Sequence, residues 1–212
     1  KNKIMFCYQC QETAKNTGCT KQGVCGKDPQ LAKELDNLVF ECQELSTLNH
    51  QLRLHKQDDL QASRMITEAL FTTITNSNFD KESVKTKIQY IRDKKHELKT
   101  RAHENNIPLH NLKLTFLPPI LGQSSILTEQ DQDIRSLKQL IIYGLKGVAA
   151  YTSHAQRLGY EDNAIYSNLE EALSFTRKKE TSKEQLLNWV KGVGELGIKA
   201  MHLLDKANTI TF

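Results

Sequence analysis

The sequence predicts an all-α protein in which a cysteine-rich, cluster-binding loop precedes two tandem three-helix bundles. Apolar residues recur at spacings of three and four in six separate segments, which is the pattern of amphipathic helices. No segment alternates apolar and polar residues over more than a few positions, so strands are not expected in any number. Four of the five cysteines fall within the first 25 residues, where apolar periodicity is weak. We therefore expect this first stretch to be a loop that wraps around a ligand.

Six helices are predicted from these apolar stripes and from the residues at their ends. Pro29 is tolerated in the first turn of a helix, and Asp80 and Ser182 are suitable N-caps. Gly159 is a suitable residue just beyond a helix end. The predicted ranges are 30–55, 59–75, 81–104, 129–158, 161–176 and 182–206.

A connector rich in proline separates the first three helices from the last three. It contains Pro108, Pro118, Pro119 and Gly122, and such residues interrupt helices. The helices on either side repeat the order long, short, long, so we expect each set to bury its own apolar seam. The predicted divisions are a cysteine-rich loop at 1–29, a first bundle at 30–106, a connector at 107–128 and a second bundle at 129–212.

Composition excludes several classes of function. The 212 residues carry a formal charge of +4, and basic and acidic residues are interspersed, so no nucleic-acid-binding face is predicted. The most apolar stretch, Leu140 to Tyr151, contains Lys146 and falls short of the roughly 20 residues that a membrane span requires. No secretory signal is visible. We expect a protein of the cytoplasm, or of a reducing organelle matrix, without a membrane partner.

The cysteine cluster is the strongest indication of chemistry. It consists of Cys7, Cys10, Cys19 and Cys25, with two, eight and five residues between successive members. A [4Fe–4S] cubane requires four thiolates, one on each iron. The short first gap lets neighbouring thiolates reach adjacent irons, and the longer gaps carry the chain around the cube. Glycines at 18, 23 and 26 allow positive φ and close approach of backbone N–H groups to sulfur. This spacing favours a cubane on the four cysteines.

Two other interpretations of the spacing remain open. Zinc sites built from four cysteines usually contain two knuckles with two to four residues between the cysteines, whereas only the first pair here has that spacing. Unligated or disulfide-bonded cysteines are the other alternative, although a disulfide framework would spread pairs along the chain. The fifth cysteine, Cys42, lies on an apolar helical face and is predicted to be a buried free thiol.

Several stretches resemble a known family. They are Met5 to Cys19 (MFCYQCQETAKNTGC), Gly23 to Lys27 (GVCGK), Leu70 to Asp80 (LFTTITNSNFD), Tyr143 to Tyr151 (YGLKGVAAY), Lys199 to Met201 and Asp205 to Thr209. They are similar to the N-terminal part of hybrid cluster proteins, also called prismane proteins or hydroxylamine reductases. The resemblance spans nearly the whole chain.

This resemblance implies a domain of two three-helix bundles, with a cubane, or in some members a [2Fe–2S] cluster, on the four N-terminal cysteines. In the family that cluster relays electrons to a second, hybrid iron–sulfur–oxygen cluster. The second cluster reduces hydroxylamine to ammonia, and reduction of nitric oxide has also been proposed. Its His, Glu and Cys ligands lie in two later α/β domains, and none can be carried over to a sequence that stops at Phe212.

These implications define the expected role of the chain. We expect an electron-transfer domain of a hydroxylamine reductase, with no catalytic residue of its own and no turnover by the 212 residues alone. The expected partners are the missing catalytic domains and an electron donor protein, either a reductase or a ferredoxin-like protein. A stand-alone iron–sulfur carrier or interaction module, and a structural zinc domain, are the alternative hypotheses.

Two further expectations concern helix surfaces. Gly192, Gly194 and Gly197 lie inside the predicted last helix, where each costs about 1 kcal/mol relative to alanine, so a close approach of another helix is expected there. The basic stretch from Arg92 to Arg101 also contains acidic residues, and it is predicted to be a solvated face.

Overall fold

The protein is all-α throughout the part of the chain that the structure describes. The structure is a computed structural model that describes residues 5–10, 12–74, 79–109, 112, 114 and 126–211. Its helices are α1 (Pro29–Leu54), α2 (Leu60–Ile74), α3 (Lys81–Glu104), α4 (Gln132–Arg157), α5 (Asn163–Phe175) and α6 (Lys183–Thr211). These ranges confirm the predicted fold class. The largest difference is at the end of α6, which continues to Thr211 because no glycine or proline follows residue 206 to stop it.

The predicted end signals form the expected hydrogen bonds. The Asp80 carboxylate accepts from two backbone N–H groups at the start of α3. Ser182 and Gln185 form a capping box at the start of α6, in which each side chain binds the other residue's backbone N–H. Gly159 follows α4 with a φ of +85°, a conformation that favours glycine. Local sequence therefore specifies where these helices begin and end.

A single hydrophobic core runs through all six helices. Helix α1 packs against α2, α3 and α5, and α4 packs against α2, α5 and α6. The core includes Leu45, Leu70, Ile91, Leu145, Leu169 and Leu196. In the described part of the chain, the first three and last three helices thus share one core across the α1–α5 and α2–α4 contacts, where separate seams had been expected. The predicted divisions of the chain stay predictions, because most of the connector lies outside the described residues.

Helices α4 and α6 approach each other at Gly144. A Cβ atom at this position would lie 2.5 Å from Cγ1 of Val193, so only glycine fits without displacement. The corresponding expectation for α6 is wrong. At Gly192, Gly194 and Gly197 a Cβ atom would meet no described atom within 4 Å. The glycine that permits close packing therefore lies on the facing helix.

No helix in the described part of the chain is both long and apolar enough to cross a membrane.

Buried charges connect α1 to its neighbours. Lys95 of α3, which is 1% exposed, lies 2.5 Å from Glu41 and 2.6 Å from Glu44, both fully buried on α1. Arg92 binds Glu41 at 2.8 Å, and Arg177, just after α5, binds Glu44 at 2.9 Å. The expectation of a solvated basic face on α3 is therefore wrong in part, because part of this face turns inward to neutralise two buried carboxylates.

A second polar cluster connects α1, α2 and α5 through Glu170. The buried Glu170 carboxylate accepts hydrogen bonds from Asn49 at 2.9 Å and Ser63 at 2.5 Å, and it lies 3.2 Å from the Arg53 guanidinium. Burial raises the pKa of Glu170, and its three partners oppose that effect. Both clusters fix α1 against helices from the two halves of the chain.

Candidate metal centre

Two of the four clustered cysteines are held together by backbone pairing. Cys7 and Cys19 exchange two N–H···O hydrogen bonds of 2.9 Å each, which form an isolated antiparallel bridge. Gly18 precedes the bridge with a φ of +103°, and a side chain there would lie 2.7 Å from the ring of Phe6. Glycine is therefore required where the chain returns beside Cys7.

The fourth cysteine lies in a tight turn against a lysine. The N–H of Gly23 donates to the carbonyl of Lys27 at 2.8 Å, which closes the turn around Cys25. A Cβ atom at Gly23 would lie 3.1 Å from the Cys25 sulfur, so the backbone passes close to the sulfur. Of the three loop glycines, Gly18 and Gly26 have a positive φ and Gly23 does not. The Lys27 ammonium lies 3.7 Å from the same sulfur and is almost fully buried. A buried cation thus stands beside one candidate ligand.

All four thiols are free, and their burial differs. Cys7 and Cys19 are buried, whereas Cys10 and Cys25 are partly exposed. Burial raises the pKa of the Cys7 thiol to about 11, although a hydrogen bond from the backbone N–H of Gln9 favours the thiolate. Such a thiol ionises at neutral pH only when a cation replaces its proton. The donor set therefore fits a thiolate-bound metal centre.

The fifth cysteine is separate from this loop. Cys42 is fully buried within the helical core, whereas Cys7 and Cys19 belong to a smaller cluster with Met5 and Ala32. Burial raises the pKa of the Cys42 thiol. The prediction of a buried free thiol is confirmed.

Two side chains of helix α4 form hydrogen bonds with the backbone of the cysteine loop. The Tyr143 hydroxyl donates to the carbonyl of Tyr8 at 2.7 Å, and the two rings lie 5.5 Å apart. One turn later, the Lys146 ammonium donates to the carbonyl of Gln9 at 2.9 Å and to its side-chain oxygen at 2.6 Å. These contacts attach the segment between Cys7 and Cys10 directly to the helical scaffold.

A carboxylate on α1 completes this support. The Gln9 side-chain amide donates to the carboxylate of Asp36. Burial raises the pKa of Asp36 to about 7, opposed by Gln9 and by the charge of Lys146. Burial also lowers the pKa of Lys146 to about 8, opposed by Asp36 and by the thiols of Cys7 and Cys10. Gln9 therefore forms hydrogen bonds with both Asp36 of α1 and Lys146 of α4.

Sequence reasoning did not identify Gln9, Asp36 or Lys146 as parts of the site. One signal was available, because Lys146 interrupts the most apolar stretch of the chain, and a lysine is almost never fully buried without a partner.

Three of the four cysteines lie near a buried lysine, but the described residues do not close a site for one ion. The thiols of Cys7 and Cys10 act electrostatically on Lys146, and Lys27 acts on Cys7 and contacts Cys25. Within the described ranges, no three His, Cys, Asp or Glu side chains converge as ligands of a single metal ion would. The assignment of all four cysteines to one cluster stays a prediction.

Comparisons with known proteins identify the chain's relatives. The Prismane/CO dehydrogenase family model matches residues 5–212. A hydroxylamine reductase of Porphyromonas gingivalis is 43% identical over 219 residues, which cover 99% of this chain and 40% of the relative. Hydroxylamine reductases of Parabacteroides distasonis and Petrotoga mobilis are 39% and 37% identical, over 98% of this chain and 40% and 41% of their own lengths. The chain thus spans about two fifths of these curated relatives. Proteins of this family are iron–sulfur proteins.

Proposed function

Because this chain belongs to the Prismane/CO dehydrogenase family, we propose that its N-terminal loop holds an iron–sulfur cluster and passes single electrons to the catalytic part of a hydroxylamine reductase. The observation that carries the proposal is a single loop with four free thiols and two buried ammonium groups beside it, that of Lys27 in the loop and that of Lys146 on the helical scaffold. Four thiolates hold an iron–sulfur cluster, and nearby charges and hydrogen bonds to the sulfurs tune its reduction potential.

Each of the four cysteines has a defined part in this proposal. Cys7, Cys10, Cys19 and Cys25 each bind one iron through the thiolate. When bound, the cluster supplies reversible one-electron chemistry. Cys7 and Cys19 close the inner side of the site, where Met5 and Ala32 exclude water. Cys10 and Cys25 are partly exposed, so an electron donor protein would approach from their side.

The activity of a complete reductase is part of the same proposal. Reduction of hydroxylamine to ammonia, and of nitric oxide, would require the ligands of a second cluster. We propose no catalytic residue within this chain and no turnover by these 212 residues alone. Four free thiols suit a reducing compartment such as the cytoplasm.

Anaerobic redox titration of the reconstituted chain tests electron transfer. We expect uptake of about one electron per cluster, bleaching of the visible thiolate-to-iron absorption, and its return on reoxidation. A Cys42→Ala variant is the matched control, because Cys42 lies in the helical core, and it should titrate like the wild type.

Three results would contradict the proposal. A colourless protein that holds one zinc ion would replace it with a structural zinc domain. A cluster that cannot be reduced and reoxidised would remove the electron-transfer role. Ammonia formed from hydroxylamine by the isolated chain would show that the chain is itself catalytic.

A further inference from the structure

Lys146 lies in an unusual place for a lysine. Its side chain is 2% exposed, in the middle of α4 and among core residues such as Leu145 and Ala149. A buried ammonium group is costly unless hydrogen bonds and a negative charge compensate it. Among the described residues, no carboxylate lies within ion-pair distance of Lys146, and its hydrogen bonds go only to Gln9. The neutral acceptors of Gln9 satisfy its hydrogen-bonding capacity, whereas its charge is opposed only at longer range, by Asp36 and by the thiols of Cys7 and Cys10.

Gln9 connects this ammonium group to the candidate ligands. It lies between Cys7 and Cys10, and its backbone lowers the pKa of the Cys7 thiol against the effect of burial. Both of its oxygen atoms accept from Lys146, at 2.9 Å and 2.6 Å. One ammonium group thus holds the backbone carbonyl and the side chain of Gln9, which fixes this residue between the two cysteines. The peptide that carries the Gln9 N–H is held through the carbonyl of Tyr8 by Tyr143, from the same helix.

The positive charge of Lys146 would stabilise a reduced cluster on the neighbouring cysteines. A cluster on four thiolates is anionic and gains one more negative charge on reduction. A cation in a medium of low dielectric constant stabilises the reduced form more than the oxidised form. Tyr143, whose ring lies 6.0 Å from the ammonium and whose hydroxyl binds Tyr8, covers the same side of the loop.

We propose that Lys146 is a positioning residue that orients the Cys7–Cys10 segment through Gln9, and that its charge raises the reduction potential of the cluster. This inference rests on the proposed function, because it requires a cluster on the four cysteines. Its physical basis is separate from the family assignment, since it depends on the buried contacts of one lysine.

Lys146→Gln tests the inference, because glutamine removes the charge and keeps a hydrogen-bond donor. At a fixed ambient potential we expect the ratio of reduced to oxidised cluster to fall by about tenfold, which corresponds to about 59 mV for a one-electron couple. Lys146→Arg, which keeps the charge, should remain closer to the wild type than Lys146→Gln does. Lys191→Gln is the control, because Lys191 is exposed on α6. Water should screen the charge of Lys191, so the ratio of reduced to oxidised cluster should change by less than about twofold.

Every outcome of this experiment bears on the inference. If Lys146→Gln does not fold, Lys146→Met carries the same test, because its uncharged chain fills the same buried space. A variant that keeps the wild-type helical content but no longer retains iron would support the positioning role. A fully loaded variant with the wild-type reduction potential would overturn the inference about Lys146 and would leave the proposed function standing. A wild-type chain that takes up no iron and no sulfide would overturn this inference and the proposed function together.

Discussion

At the scale of single residues, the site is organised by side chains that lie far apart in the sequence. Lys146 is 137 positions from Gln9, and Asp36 is 27 positions from it. Periodicity and spacing describe residues within a few helical turns of each other. They therefore predict the cysteine site, but not the helix residues that bind its loop. A glutamine between two cysteines carries no signal of its own until the helix that binds it is known.

Asp36 gives a prediction about pH. Burial raises its pKa from 3.8 to about 7, so the folded protein binds this proton more tightly than the unfolded chain does. The resulting stabilisation is present below pH 4 and is lost as the pH rises through about 7. In the metal-free protein, the free energy of unfolding of the wild type relative to Asp36→Asn should therefore fall across this window. Urea unfolding at pH 4.5 to 8 measures it, and parallel curves for the two proteins would contradict the assignment.

At the scale of helices, local sequence signals predict where a helix begins and ends, but not which neighbour each helix face contacts. Asp80 and Ser182 act on backbone groups within three residues, so sequence alone predicted their caps correctly. Gly192, Gly194 and Gly197 suggested a close contact, but the direction that a glycine faces depends on a partner helix that periodicity does not identify. The contact lies instead at Gly144, where Val193 of α6 occupies the space of a side chain.

Two glycines of α4 form a matched pair that tests this contact. Gly144→Ala would place a Cβ atom 2.5 Å from the branched side chain of Val193, whereas at Gly147 the same atom would meet no atom of the described residues within 4 Å. Overpacking should make Gly144→Ala less stable by about 1–3 kcal/mol. Gly147→Ala should be more stable by about 0.5–1 kcal/mol, because alanine is the better helix former.

Thermal and urea unfolding distinguish the two substitutions. Adding Val193→Ala to Gly144→Ala should restore part of the lost stability, because it removes the atom that the new Cβ meets. Equal effects of the two alanine substitutions would show that α4 and α6 do not approach as described.

At the scale of the whole molecule, buried charges and a shared core join the two halves of the chain. The repeated helix order suggested two bundles with separate seams. The observed core is continuous because α1 packs against α5 and α2 packs against α4. Sequence periodicity shows which face of a helix is apolar, but it does not show which neighbours cover that face. The buried glutamates of α1 also escaped prediction, because their partners lie 51 and 133 positions away.

Lys95 tests the contribution of these buried charges. Lys95→Met would leave Glu41 and Glu44 with less compensating charge in the core, and we expect a loss of about 3–5 kcal/mol in the free energy of unfolding. The control is Lys85→Met on the same helix. Its ion pair with Glu82 is exposed to solvent, so its loss should change the free energy of unfolding far less than the loss of Lys95 does. Similar losses for the two variants would contradict a special role of the buried network.

The most direct test of the account is the amount of iron and acid-labile sulfide per chain after anaerobic reconstitution. We expect about four of each for the wild type and for Cys42→Ala, and a loss of both when Cys7, Cys10, Cys19 and Cys25 are replaced by serine. About two of each would indicate a two-iron cluster on the same loop. A wild-type chain that binds no iron, or iron and sulfide that persist after all four replacements, would contradict it.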